Sequence, residues 1–534
     1  MGDALTRSLA RSPVCARVLR WPLCSGILGL PFAARYSGVT LFLGVLALCA
    51  ALANMGARLL LAAARATGVY SYESLGLDAF GRRGRALVSA AILVQNTGAM
   101  TSYMIVIKDS CENVAVAISE GIFGHELGED SIWRDRAVLT VAMAALVVLP
   151  LSCMRRVSAL AFASSLSVAI GAGFAGFVTW RHFATPDLRE VCDAGEPPKG
   201  HWTVLDPLPE EGGVPGIFSV FPTVCFSFVC HTVLLPVADE LVAHSQGDSH
   251  GGDDGPRGRV HPSGPRRMRW ALDGAFVACA VCYGVAAVLG YLTFYETTLA
   301  DLLENYPPNA RCGDDRWEGV TQAVRALFAF TIVLSVPLIQ FPARRTLTLL
   351  IFGEGALPPV EGALPAGGTG VGGWPTEDGG EAGVARRTSS DRALSVAYAE
   401  GVGEWRERKP LLAMPNSGGS GSAASEHSLL LPESGGSGGA ASGELSTPVR
   451  CALSLGIVAT VTTLAITVPK ISIVFSLAGA TSSPTLMFVL PGLIAGRCAP
   501  GYRIQGFALA TIGVLMGVTC LSAVAVSLAA QYGS

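Results

Sequence analysis

Long apolar stretches alternate with short polar connectors along this chain, on the scale of a lipid bilayer. An α-helix needs about 20 apolar residues to cross a hydrocarbon core of roughly 30 Å. Eleven such runs lie near residues 22–38, 39–64, 86–107, 137–152, 157–179, 216–243, 271–294, 321–341, 451–469, 471–494 and 504–529. They predict an all-α polytopic membrane protein, because lipid offers the backbone no partner and a helix satisfies its own hydrogen bonds.

Composition agrees: 50% of the residues are hydrophobic and only 15% charged, which excludes a soluble globular chain. Orientation follows from the connectors, since Lys and Arg resist translocation. Connectors 65–85, 153–156, 244–270 and 495–503 carry thirteen Lys/Arg against five Asp/Glu, whereas 108–136, 180–215 and 295–320 carry eight against twenty. The first, basic set and the arginine-bearing residues 1–20 are expected to be cytoplasmic. The second, acidic set is expected to face outside or a lumen. The net charge of −3 averages two faces of opposite sign and implies no nucleic-acid partner. Most of the fourteen cysteines fall inside apolar runs, where they pack as small hydrophobes. Cys192 and Cys312 share the acidic side, where a bridge between them would join two loops.

The expected organisation is a cytoplasmic segment 1–20, spans 1–8 within 21–341, a disordered cytoplasmic loop 342–450, and spans 9–11 within 451–530. The loop is crowded with Gly, Ser, Pro and Glu and buries too little apolar surface to offset its ordering entropy. It holds two acidic dileucine strings, Glu407 with Leu411 and Leu412, and Glu426 with Leu430 and Leu431. Either string can present a carboxylate and two leucines to a sorting adaptor; chance in a biased segment is the alternative. Arg386, Arg387 and Ser389 resemble a basic-directed phosphorylation site.

Two of the apolar runs are interrupted. CSGILGLPFAARYSG from Cys24 carries Ser25, Gly26, Gly29 and Pro31, and PTVCFSFVCHTVLLPVADEL from Pro222 carries Cys230 and His231 midway between Pro222 and Pro236. They stand first and sixth in the order of spans, where a five-plus-five inverted-repeat transporter keeps its substrate site. Amides freed near Ile27 would favour an anion such as an amino acid carboxylate. A close-packing seam through Gly26 and Gly29 is the other reading. Carbonyls near Phe228, Val229 and Cys230 are expected to lose intrahelical partners and to accept an ammonium group or a cation. His231 is an ionisable group at membrane depth, suited to proton coupling or to a neutral imidazole bonded to a carbonyl. In the third run Asn96, Ala99, Met100 and Tyr103 share one helical face, and Asn96 touches either substrate or a neighbouring helix. Ser335 offers a hydroxyl oxygen to Na+ or bonds back to its own helix.

The strings SGILGLPFA (25–33), YESLGLDAFG (72–81), QNTGAMTSYMIVIKD (95–109), VLPLS (148–152), FSFVCHTVLLPVADEL (226–241), GYLTFYE (290–296), LSVPLIQFPARR (334–345) and FSLAGATSSPTLMFVLPGL (475–493) resemble the amino acid/auxin permease family, most closely its sodium-coupled neutral amino acid transporter branch. The resemblance implies a LeuT-type fold, five-plus-five inverted repeats with an eleventh span, working by alternating access. It further implies substrate between spans 1, 3, 6 and 8, and Na+ between the span 1 break and Ser335. In that family an apolar half-helix with an Asn precedes SGILGL, where this chain has Arg20 in ARSPVCARVLRWPLC. The departure implies either an apolar stretch missing upstream, which the sequence favours, or coupling lost.

These readings point to a secondary active transporter of small neutral amino acids coupled to Na+ or H+. It would sit in the plasma membrane or in an endosomal, lysosomal or vacuolar membrane. A sensor that binds an amino acid and signals through its loop without net flux is the alternative. No nucleophile paired with a base, metal cluster or phosphate loop appears, so neither an enzyme nor a cofactor other than the transported ion is expected.

Overall fold

The computed structural model describes residues 26–118, 135–153, 161–184, 213–238, 263–306, 317–353, 447–468 and 471–532, all in one contact unit. Ser25, Arg20, Cys192, Cys312, Ser389 and both dileucine strings, Glu407 to Leu412 and Glu426 to Leu431, lie outside the described residues.

Uncharged apolar runs wind into helices wherever the backbone must satisfy itself, and the described residues contain helices and no strand. Helix α1 (Gly26–Thr67) takes in the first two expected spans, which meet at Gly38, whose φ of 71° suits a glycine at a chain reversal. Helix α2 (Tyr72–Ile118) bends likewise at Gly81, with φ 66°, separating a short Tyr72–Phe80 segment from the third span. Helices α3 (Arg136–Met143) and α4 (Leu149–Ser152) are joined by a wide π turn, Ala144–Val148. Then come α5 (Ala161–Ala184), α6 (Gly213–Ser227), a short helix α7 over 231–238, and α8 (Ser263–Phe294). After two 3-10 turns, Tyr295–Thr297 and Leu302–Asn305, the chain enters α9 (Glu318–Phe352). The last elements are α10 (Thr447–Thr467), α11 (Ile471–Pro484), α12 (Leu490–Cys498) and α13 (Arg503–Tyr532).

Eight helical segments among the described residues are long and apolar enough to cross a membrane, and the segment Ala137–Ser152 is apolar but shorter. One expected boundary moves. Helix α9 continues through Pro337 and Pro342 to Phe352, with Gly353 (φ 75°) at its C-terminus, so residue 342 lies inside a helix. Each proline deletes one amide donor, which is not enough to end a helix packed on neighbours. The next helix opens at Thr447, with Pro448 in the first turn, where the missing donor costs nothing.

Two packing neighbourhoods result. Helix α1 lies against α6, α8 and α12, while α2 lies against α9, α10, α11 and α3. Helix α5 bridges α8 and α9, and α11 bridges α6 and α2. Polar side chains join the helices across the apolar interior. Gln95 Oε1 accepts from Ser482 Oγ (2.7 Å) and Ser483 Oγ (2.9 Å), tying α2 to α11. Tyr72 donates to Leu486 O at 2.8 Å, and Glu73 accepts from Thr346 Oγ1 at 2.8 Å, so the Tyr72–Phe80 segment is pinned beneath α9 and the turn after α11.

Candidate functional site

The interrupted sixth span loses its winding between its two prolines, Pro222 and Pro236. Helix α6 ends at Ser227, residues 228–230 are non-helical, and α7 resumes at His231. Short turns close the ends of the gap: Phe228 N donates to Cys225 O (3.1 Å), Val229 N to Phe226 O (3.4 Å), and Val233 N to Cys230 O (3.2 Å). The expectation for Cys230 is therefore corrected, because the first turn of α7 already uses its carbonyl. The carbonyls of Phe228 and Val229 are the ones left to the gap.

Gly26 of α1 lies directly against Ser227, the last helical residue before this gap. A Cβ built on it would stand 2.8 Å from Ser227 Cα and overlap the Ser227 side chain. Ile27 is fully buried beside it. Two residues on, a Cβ on Gly29 would meet the Phe475 ring of α11 at 2.7 Å and Ala300 O at 3.7 Å. The Phe475 ring packs on Phe226 at 5.0 Å between centroids. The backbone before the gap is anchored from α8, where Tyr283 Oη donates to Ser227 O at 3.1 Å and the Phe228 ring lies edge-on to Tyr283. One cluster thus joins Gly26, Ile27 and Gly29 with Ser227, Phe228, Val229 and Phe475.

A family model described as "Transmembrane amino acid transporter protein" matches residues 22–248 and 260–499, which include both interrupted segments. The chain belongs to the transmembrane amino acid transporter family. With its membrane-length helices it is a multi-pass integral membrane protein, and the family's work is moving amino acids across membranes.

The other predicted residues of this amino acid transporter lie on α7, α2 and α9. His231 is fully buried, with Nε2 3.1 Å from Ala53 O of α1. If Nε2 carries the proton, Nδ1 is an acceptor, and it has no hydrogen-bond partner among the described residues. Asn96 is buried in α2, and its Nδ2 likewise lacks a partner there. Its helical neighbours Met100 and Met104 line a cleft with Val148, Val336, Val458, Val461 and Thr462, too narrow to admit water. Ser335 donates to Thr331 O at 2.8 Å, the back-bonded arrangement, and its oxygen is 3.3 Å from Ser167 Oγ of α5.

Sequence reasoning did not single out Ser227, Phe475, Tyr283 or Ser167. The first two stand inside motifs that were legible, FSFVCH and FSLAG. Ser167 and Tyr283 lie in ordinary apolar runs and carry no local signal.

The segment 295–306 lies against α1 near Arg35. Arg35 donates to Thr298 O at 3.1 Å, and Arg325 Nη2 donates to Leu303 O and Tyr306 O, both at 2.6 Å. Asp301 Oδ1 accepts from Leu303 N at 2.9 Å. Burial and then the Glu304 charge push the Asp301 carboxyl up to about 8.

Proposed function

We propose that this protein is a secondary active transporter of small neutral amino acids, driven by Na+ or H+, with a LeuT-type arrangement of ten core spans and an eleventh. The observation carrying the proposal is the loss of helix at 228–230, directly after the Ser227 that packs against Gly26. Backbone dipoles exposed at membrane depth are costly unless a partner satisfies them, and a zwitterion supplies both signs.

In this reading the first span presents its substrate-binding amides where α1 begins, at Gly26. Ser25 and the amides of Gly26, Ile27 and Gly29 take the carboxylate. The carbonyls of Phe228 and Val229, with Cys230 closing the turn, take the ammonium group. Asn96 approaches from the third span. Ser335, with Ser167 and the Thr331 carbonyl, offers the oxygen ligands a hard cation favours, and His231 serves if the driving ion is a proton. Backbone contacts read the shared zwitterion, and shielding by Phe226 and Phe475 suits small uncharged side chains.

Purified protein in liposomes tests the reading. It should accumulate labelled neutral amino acid above equilibrium under an imposed Na+ or H+ gradient. Saturable binding without accumulation under either gradient would replace this proposal with the sensor reading. Under Na+ drive, Ser335→Ala should raise the Na+ concentration for half-maximal uptake; an unchanged value removes Ser335 from the ion site.

A further inference from the structure

Two pairs of thiols meet across helices in this molecule. Cys49 of α1 and Cys225 of α6 place their sulfurs 3.7 Å apart, and both residues are fully buried. Cys153, directly after α4, and Cys451, in the first turns of α10, are brought near one another by the contact of Ser152 with Ser454, and both are partly exposed.

The second pair flanks a junction of three helices. Ser454, one turn beyond Cys451, donates from Oγ to Ser152 O at 3.2 Å. Arg344 of α9 donates to the same carbonyl at 2.7 Å and to Ser454 Oγ at 3.1 Å, while Gln340 Nε2 donates to Ser454 O at 3.2 Å. These bonds hold the backbones of α4 and α10 side by side. The Cys153 and Cys451 thiols are near enough to influence one another, and the charges of Arg344 and Arg450 act on Cys153. Partial exposure and an adjacent second thiol are two of the conditions under which cysteines are oxidised reversibly. Enclosed thiols such as Cys49 and Cys225 are inert by the same rule. No group of three or more His, Cys, Asp or Glu suited to a metal ion occurs among the described residues, so redox chemistry is the better reading of paired thiols.

We propose that Cys153 and Cys451 form a peroxide-sensitive dithiol that closes reversibly into a disulfide joining α4 to α10. The oxidant is a hydroperoxide. One thiolate attacks the terminal peroxide oxygen, the O–O bond breaks, and a sulfenic acid forms with release of hydroxide or alkoxide, which takes up the thiol's proton. The second thiol attacks the sulfenic sulfur, the S–S bond forms, and water leaves. Two thiols give up two electrons and the peroxide accepts them; a dithiol reductant reverses the change. Burial and then Cys451 raise the Cys153 pKa, while Arg344 and Arg450 lower it, so thiolate is scarce at neutral pH and closure needs peroxide in excess. The basic connectors place this site on the face read as cytoplasmic, where a disulfide is transient and regulatory rather than structural.

The test uses the full-length protein in liposomes, treated with hydrogen peroxide, blocked with iodoacetamide, digested and read by mass spectrometry. The expected result is a linked peptide carrying Cys153 and Cys451, the loss of two free thiols per chain, and recovery of both with dithiothreitol. Cys153→Ser and Cys451→Ser should each abolish the link while eluting as monodisperse protein. The parent protein alone suffices to overturn the proposal. A Cys49–Cys225 link formed instead, independent oxidation of Cys153 and Cys451 without a linked peptide, or no thiol lost would each do so.

Discussion

Helix α6 and helix α9 each contain proline at membrane depth, and only one of these spans comes apart. In α9, Pro337 and Pro342 sit inside a helix that stays wound from Glu318 to Phe352. In the sixth span the winding fails at 228–230, six residues from Pro222 and six from Pro236. A missing amide is therefore not what opens a helix. The difference lies in what the neighbours supply. Around α9, Gln340 and Arg344 reach to α10 and α4, and Ser335 bonds back to Thr331 O, so side chains brace a continuous rod. Around the sixth span, Tyr283 holds Ser227 O from α8, Ala53 O meets His231 from α1, and Gly26 leaves room for the Ser227 backbone. Both sides of the gap are held from outside, so its middle need not be helical.

This comparison is most easily broken at Gly26. Gly26→Val would drive a branched side chain into Ser227, and overpacking of this kind costs ~1–3 kcal/mol. Uptake by the reconstituted protein should fall roughly tenfold or more while the protein still inserts and elutes as a single species. Normal uptake would show that the close approach of α1 to the gap is unimportant.

Tyr283→Phe removes one donor from the broken span without changing shape. A lost hydrogen bond of this type costs about 1 kcal/mol. The melting temperature in detergent should drop by about 1 °C for a chain of this size, with a few-fold loss of uptake.

Asp301 probes the segment that covers the broken side. Its carboxyl is held up at about 8 by burial first and the Glu304 charge second. The folded protein therefore keeps a proton that the unfolded chain has lost, and between the ordinary carboxylate range and pH 8 stability falls as pH rises. Asp301→Asn should flatten the slope of melting temperature against pH over that window. An unchanged slope would assign the pH dependence to another group.

The smallest effect is expected on the intact side. Pro337→Ala restores an amide to a helix that is already wound, so uptake should stay within about twofold of the parent. A large loss would mean that α9 also depends on a local opening, and the contrast between the two spans would disappear.

Much of the architecture was legible before any coordinates. Apolar length marked the membrane helices, and the spacing of Pro222 and Pro236 located the opening near Cys230. The Gly38 reversal fell where the first two apolar runs meet. The expected end of the eighth span at 341 fell short because the apolar run is interrupted by Arg344 and Arg345, whereas the helix continues to Phe352. Cys230 was assigned a free carbonyl because the sequence does not show that the helix resumes one residue later.

The amino-acid order alone determined that this chain lives in lipid and which of its stretches are apolar enough to cross it, since those properties depend on hydrophobic length. Tertiary structure alone decided that Gly26 meets Ser227, that His231 finds Ala53, that Ser335 turns to Ser167, and that Cys153 and Cys451 become neighbours. Each of those pairings joins residues far apart in sequence. Their meeting depends on how whole helices pack, and no local pattern of residues encodes it.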